Sequence, residues 1–205
     1  KHVFFLGSSC IYPKFADQPI QEDSLLTGTL EPTNEAYAIA KIAGVKLINS
    51  YNRQYGHEWL SLMPTNVYGL GDNFVNDDSH VMPALIRKIT AAKKNQDPKV
   101  TLWGTGEPLR EFIHAKDLAD AVYFVLMEMP TQHEVINVGT GEEVSIRDLA
   151  SLISDEVGYS GQIVFDPSMP DGTPRKIVDS SKLQALGWRP KIDLRSGVRR
   201  VIGQL

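Results

Sequence analysis

The chain of 205 residues is 42% hydrophobic and 22% charged, an ordinary balance for a globular protein able to bury a sizeable core. Its formal net charge of −4 argues against a general nucleic-acid surface, and no apolar run approaches the roughly 18 residues that a membrane span requires. A single cysteine excludes an internal disulfide and fits a reducing, cytoplasmic setting; with five scattered histidines it gives no metal-ligand spacing.

Val3-Phe4-Phe5-Leu6 is apolar on both faces and predicts a strand in the middle of a parallel sheet. It begins within two residues of Lys1, with no Met or cap before it, so an N-terminal portion is expected to be missing. Residues 11–34 are rich in Pro, Asp, Gly and Thr without a period, a long loop of the kind that is usually functional. A helix is predicted over 35–55, with Asn34 as cap and Gly56 as stop. Ile39, Ile42, Ala43, Leu47 and Ile48 form its apolar stripe. The strand Trp59–Met63 ends at Pro64-Thr65-Asn66-Val67 and completes a parallel strand–helix–strand crossover.

A polar loop over 69–79 leads to a helix over 80–94, with Leu85, Ile86 and Ile89 inward. A strand at 100–103 closes on the turn Gly104-Thr105-Gly106, and 111–114 is a further extended piece. A helix over 115–129 and a strand at 135–138, ending in Gly139-Thr140-Gly141, come next. Ser145 caps a helix to Val157 with Asp148 in its first turn. The tail offers a strand at 162–165, a charged loop over 166–176, a short helix at 180–186 and a last helix from Leu194. That helix stops at Leu205 without a cap, so the C-terminus is expected to be trimmed as well. Strands alternating with helices predict the α/β class.

The chemistry gathers at Gly7-Ser8-Ser9-Cys10, where the first strand ends, and at Tyr37 and Lys41 in the first long helix. A Tyr and a Lys at i, i+4 share one helix face. An ammonium beside a phenol favours the phenolate, lowering a pKa that is ordinarily about 10. With a strand-end serine they form a proton donor and acceptor for a carbonyl or alcohol oxygen. Each residue also has a plainer reading. Tyr37 and Lys41 could be surface neighbours, Ser9 could serve in place of Ser8, Cys10 could be an inert buried thiol, and His80 a helix-start residue.

Several ordered blocks together resemble the extended short-chain dehydrogenase/reductase family. The early ones are Gly7-Ser8-Ser9-Cys10-Ile11-Tyr12-Pro13, Glu31–Asn34, Tyr37-Ala38-Ile39-Ala40-Lys41, Pro64–Gly69, Asp72–Phe74 and Ser79-His80. The later ones are Trp103–Gly106, Arg110–His114, Asn137–Gly141 and Asp171–Lys176. Within that family the chain is similar to the epimerase–reductases that make GDP-L-fucose from GDP-4-keto-6-deoxy-D-mannose. A dehydratase would place acidic residues just after the strand-end serine, where this chain has Cys10-Ile11.

The resemblance implies a Rossmann-type doubly wound parallel sheet, truncated at its start, with a smaller α/β C-terminal substrate domain. Residues 1–68 and 104–144 would be the remainder of the NADP-binding domain, and 69–103 with 145–205 the part that takes the GDP-sugar. It implies catalytic roles for Ser8, Cys10, Tyr37, Lys41 and His80, with Cys10 as base and His80 as acid for two epimerisations. The NADP-binding residues would be Leu6, Gly7, Ser8, Ser9, Tyr37, Lys41, Pro64, Thr65, Asn66, Val67 and His80. Lys88, Trp103, Arg110 and Asp171 would bind substrate, with Arg87 competing for the part of Lys88. Arg175 and Lys176 would be partly structural, and His57, His114 and His133 structural or exposed. No metal is expected. The family forms homodimers through the helix carrying Tyr37 and the helix before it; that earlier helix has no counterpart here, so a homodimer is expected of the full-length protein and not of this chain alone. The family's glycine-rich pyrophosphate turn has no counterpart here, since Gly139-Thr140-Gly141 is an ordinary turn, so this chain is expected to bind NADP weakly and to be inactive alone.

Overall fold

The structure, a computed structural model, describes residues 3–74, 80–128 and 134–205. Ser79, Met129 and His133 lie outside the described residues.

The strands are β1 (Phe4–Leu6), β2 (Leu60–Pro64), β3 (Asn66–Tyr68), β4 (Lys99–Trp103), β5 (Leu109–His114), β6 (Val135–Val138), β7 (Glu143–Ser145), β8 (Gln162–Asp166) and β9 (Arg175–Lys176). The helices are α1 (Glu35–Tyr55), α2 (Val81–Asn95), α3 (Ala115–Glu128), α4 (Ile146–Val157), α5 (Ser181–Ala185) and α6 (Leu194–Ile202). This is the expected α/β architecture of Rossmann type. No helix among the described residues is long and apolar enough to cross a membrane.

The first sheet is parallel, in the order β1-β2-β6. Among the described residues its central strand is β2, buried at every position. Among the described residues β1 pairs only with β2, and Leu6 is 43% exposed. Phe5 is covered by α1, where Gly44 lies so close that a Cβ there would enter the Phe5 ring. This contact sets the phase of the helix. Ile42, Val45 and Ile48 are buried, whereas Ile39, Ala43 and Leu47, predicted inward, lie on the outer face. The helix carries two apolar stripes, and only the one beside Gly44 meets the sheet.

Two further departures shape the site. Asn34 does not cap α1; a 3-10 turn at Pro32–Asn34 precedes the helix, and the Glu31 side chain caps that turn through Thr33 N. After Pro64 the chain does not become a loop. Thr65 N still donates to Val138 O, and β3 then pairs in parallel with β5 (Asn66↔Phe112). The segment thereby crosses from the first sheet to a second one, in which β5 also pairs with β7 and β9. The sequence offered no signal for β7 or β9, because strands of three and two residues are too short to show a period.

Three apolar clusters hold these layers. The largest includes Ile86, Ile89, Leu102, Leu149, Ile153 and Val198 and joins α2, α4 and α6 to β4. A second packs Leu60, Leu62, Ile113, Val125 and Ile136 between the first sheet and α3, and a third packs Ile11, Tyr12, Ile20 and Met63 beneath α1. Leu183 and Trp188 join the second cluster and Val178 the third, so part of the tail packs around the first sheet.

Candidate active site

Parallel sheets bind ligands beyond the carboxyl ends of their strands. Here the ends of β1 and β2 open into a cleft of about 510 Å³. Gly7, Ser8, Ser9 and Cys10 form one stretch of its wall, and Pro64, Thr65, Asn66 and Val67 another. Tyr37 enters from the first turn of α1, His80 from the start of α2, Arg110 from β5 and Lys176 from β9.

Ser8 is extended (φ −164°), and its Oγ accepts a hydrogen bond from Cys10 N at 3.2 Å. The Ser8 hydroxyl lines the cleft beside Cys10. Ser9 is only 2% exposed, which makes Ser8 the more accessible hydroxyl. Two side chains donate to Cys10 Sγ, Lys176 Nζ at 3.1 Å and Asn34 Nδ2 at 3.3 Å. Burial pushes the Cys10 thiol up, but the Lys176 ammonium and the hydrogen bonds from Ser8, Lys176 and Asn34 outweigh it. The thiol consequently lies below its ordinary value.

Lys176 reaches the sulfur because β9 pairs with β5 in parallel, Arg110 opposite Lys176. Glu111, fully buried on β5, fixes that register. Its Oε2 accepts from Val178 N at 3.1 Å, and its Oε1 accepts from Thr140 N at 2.7 Å and Gly141 N at 2.8 Å. Burial pushes its carboxyl up despite those bonds. Thr65 Oγ and Asn66 Nδ2 both donate to the Glu111 backbone carbonyl, at 3.2 and 2.8 Å, which fastens the opposite wall to the same strand.

Lys41 Nζ donates to Leu6 O at 2.8 Å and stands 5.7 Å from the Tyr37 ring centroid, so the pair meets at the strand end as the spacing predicts. Leu6 and Lys41 themselves do not line the cleft. His80 is at the N-cap of α2, its side chain 85% exposed, with Nδ1 3.8 Å from Asp72 Oδ1. Burial lowers the Arg110 guanidinium, opposed by Asp171, Glu31 and Cys10, and its Nη1 donates to Leu109 O at 2.8 Å.

The remaining substrate candidates lie outside the cleft. Lys88 Nζ sits 5.1 Å from the ring centroid of Trp103, which is 63% exposed. Asp171 spends both carboxylate oxygens on Thr105, accepting from its N at 2.7 Å and its Oγ at 2.8 Å. Among the other histidines, His57 stacks on Trp59 (4.4 Å between centroids), and His114 is buried with Nδ1 accepting from Lys116 N at 3.1 Å.

Residues 1–139 match the model of the NAD dependent epimerase/dehydratase family. The chain belongs to that family. GDP-L-fucose synthase 1 of Arabidopsis thaliana is 56% identical over 198 residues, covering 97% of this chain and 61% of its own length. GDP-L-fucose synthase of Escherichia coli K12 is 54% identical over 207 residues, covering 96% of this chain and 64% of its own. A crystal structure of a GDP-L-fucose synthetase from Naegleria fowleri bound to NADP superposes with a TM-score of 0.90 at 30% identity, covering 99% of this chain and 65% of that one. The chain thus spans about three-fifths of the length of the curated relatives it matches.

Several residues of this family member's cleft were not expected from the sequence as site residues, among them Glu31, Asn34 and Lys176. Asn34 reads as a helix cap and Lys176 as a loop cation. Both lie in the motif blocks, but only the pairing of β9 with β5 brings Lys176 to the thiol.

Proposed function

We propose that this protein acts as a GDP-L-fucose synthase, converting GDP-4-keto-6-deoxy-D-mannose by epimerisation at C3 and C5 and then reduction at C4. The observation that carries this reading is the Cys10 thiol held by Lys176 in one cleft with Tyr37 and His80. The GDP-L-fucose synthases of Arabidopsis and Escherichia coli, at 56% and 54% identity, support it.

The carbonyl at C4 acidifies the C–H bonds on both flanking carbons. The Cys10 thiolate takes each proton, and His80, which lines the same cleft, returns one to the opposite face of the sugar. Tyr37 then gives its proton to the C4 oxygen while Ser8 donates a hydrogen bond to it, and Lys41 anchors Tyr37 to the strand end. Arg110 faces the diphosphate, with Lys88 and the flat surface of Trp103 for the rest of the nucleotide. Asp171 serves by fixing the turn after Trp103.

The chain's own residues fit the nicotinamide end of NADP. Gly7 packs flush against Met63 with no room for a Cβ, so Gly7 to Ser9 present their backbone beside Tyr37, and Pro64 to Val67 continue that wall. When bound, NADPH supplies the hydride that reduces C4. Dehydration is the less fitting chemistry. Glu31 is the one carboxylate among the described lining residues, and both of its oxygens are already engaged. We assign the protein to the cytoplasm and to a homodimer built on the outer stripe of α1, where Ile39, Leu47 and Tyr55 are each more than half exposed.

Incubating the protein, as its own cells make it, with GDP-4-keto-6-deoxy-D-mannose and NADPH tests the assignment. The expected product is GDP-L-fucose; a reduced sugar with C3 and C5 uninverted would replace the reading with a simple ketone reductase.

A further inference from the structure

Glu31 lines the cleft, yet the chemistry above gives it no part. Its side chain, 15% exposed, joins three segments. Oε2 accepts from Lys14 Nζ at 2.9 Å and from Thr173 Oγ at 3.2 Å. Oε1 accepts from Thr33 Oγ at 3.2 Å and Thr33 N at 3.4 Å, and the Glu31 backbone carbonyl accepts from Asn34 N at 3.2 Å. Two of those segments carry the side chains that donate to the thiol. The 3-10 turn at Pro32–Asn34 ends in Asn34, and Thr173 leads into β9 with Lys176.

Asn34 Oδ1 is buried and has no hydrogen-bond partner among the described residues. Among the described residues, the amide is therefore aimed at the sulfur only by its place on the turn that Glu31 caps. A small cavity of about 30 Å³, lined by Cys10, Lys14, Glu31, Asn34, Thr173 and Lys176, lies where these segments meet. It has room for about one water molecule.

We propose that Glu31 is a positioning residue, a clasp that keeps Asn34 and Lys176 together on the Cys10 sulfur and so sets the reactivity of the thiol. The inference rests on reading Cys10 as the base of the proposed reaction. The charged groups around the thiol and the clasp are Lys14, Arg110, Asp171, Lys176 and Arg175, the last paired with Glu143; the titratable Tyr12, Tyr37 and exposed His80 also face the two cavities. As a bare charge, a carboxylate near a thiol disfavours the thiolate, so deleting it should make the thiol more acidic. As a clasp, its deletion frees Asn34 and Lys176 and should make the thiol less acidic. The two roles have opposite signs.

The rate of Cys10 alkylation by iodoacetamide, followed against pH by peptide mass mapping, separates them. Glu31→Ala and Glu31→Gln should move the midpoint upward. A shift of about one unit corresponds to alkylation about tenfold slower at any pH below both midpoints. Thr173→Val, which removes one arm of the clasp, should give a smaller shift in the same direction. An unchanged or lowered midpoint in the Glu31 variants would overturn the proposal. If circular dichroism shows those variants unfolded, an unchanged midpoint in Thr173→Val overturns it instead. No turnover is read, so the outcome stands apart from the assigned reaction, whose own failure would appear as persistent proton exchange in Cys10→Ala.

Discussion

Lys176 Nζ lies 3.1 Å from Cys10 Sγ, although 166 residues separate the two in the chain. An ammonium is the partner a thiolate needs if it is to persist in a part-buried site, where desolvation works against the charge. In Lys176→Met, burial is left with only the Ser8 and Asn34 hydrogen bonds to oppose it, and the thiol should rise above its ordinary value. Thiolate absorbance against pH should show the midpoint moving up, with proton exchange on the substrate falling about tenfold or more at neutral pH. A midpoint that stays in place would show that Lys176 is not what holds the thiolate.

Glu111 carries a different load. It gathers three backbone N–H groups, from Thr140, Gly141 and Val178, and it is fully buried. Glu111→Ala strands those donors, at about 1–3 kcal/mol for each one left unsatisfied, and should lower unfolding stability by about 3 kcal/mol or more. Glu111→Gln keeps an acceptor and should cost less. Because burial raises the native carboxyl, the stability due to its protonated form is complete below about pH 4.3, the ordinary glutamate value, and is lost as pH rises through the native value. Urea titrations between pH 4 and pH 7 should therefore show the wild type losing stability relative to Glu111→Gln as pH rises.

How much of this was legible without coordinates differs from element to element. Gly56 as the stop of α1, Ser145 as the cap of α4 and the inward face of α2 follow from local rules, and the structure has them where those rules put them. The phase of α1 was not legible. Its apolar residues fill two faces, and only the contact between Gly44 and Phe5 chooses between them. The cleft divides in the same way. Ser8, Cys10, Tyr37 and His80 stand in motifs that declare them. Lys176 depends on a two-residue strand pairing, and Asn34 on a turn that redirects a residue with the look of a helix cap.

Gly44 offers a test of that packing. Alanine at this position should gain up to about 1 kcal/mol in helix propensity, but its methyl group would enter the Phe5 ring. Overpacking of this kind costs about 1–3 kcal/mol, so Gly44→Ala should lower the melting temperature on balance. Because α1 carries Tyr37 and Lys41, reduction at C4 should slow more than proton exchange at C3 and C5. An equal loss in both steps would show that the shift of α1 is not confined to that pair.

The outer stripe of α1 makes the proposed dimer testable. Leu47 is 58% exposed on that stripe, away from the sheet. Leu47→Glu should convert a dimer to a monomer in sedimentation velocity while leaving the Cys10 alkylation profile unchanged. A dimer that survives the substitution would place its interface elsewhere.

Solvent-deuterium incorporation into the 4-keto sugar, measured by NMR with Cys10→Ala in the protein as its own cells make it, addresses the chemistry at its root. If Cys10 is the base, exchange at both C3 and C5 should fall by about a hundredfold or more, as expected when an acid–base group is removed. Reduction at C4 of a sugar already epimerised should continue, since Tyr37 and Ser8 remain. Exchange at C3 and C5 that proceeds at the wild-type rate in Cys10→Ala would contradict the account.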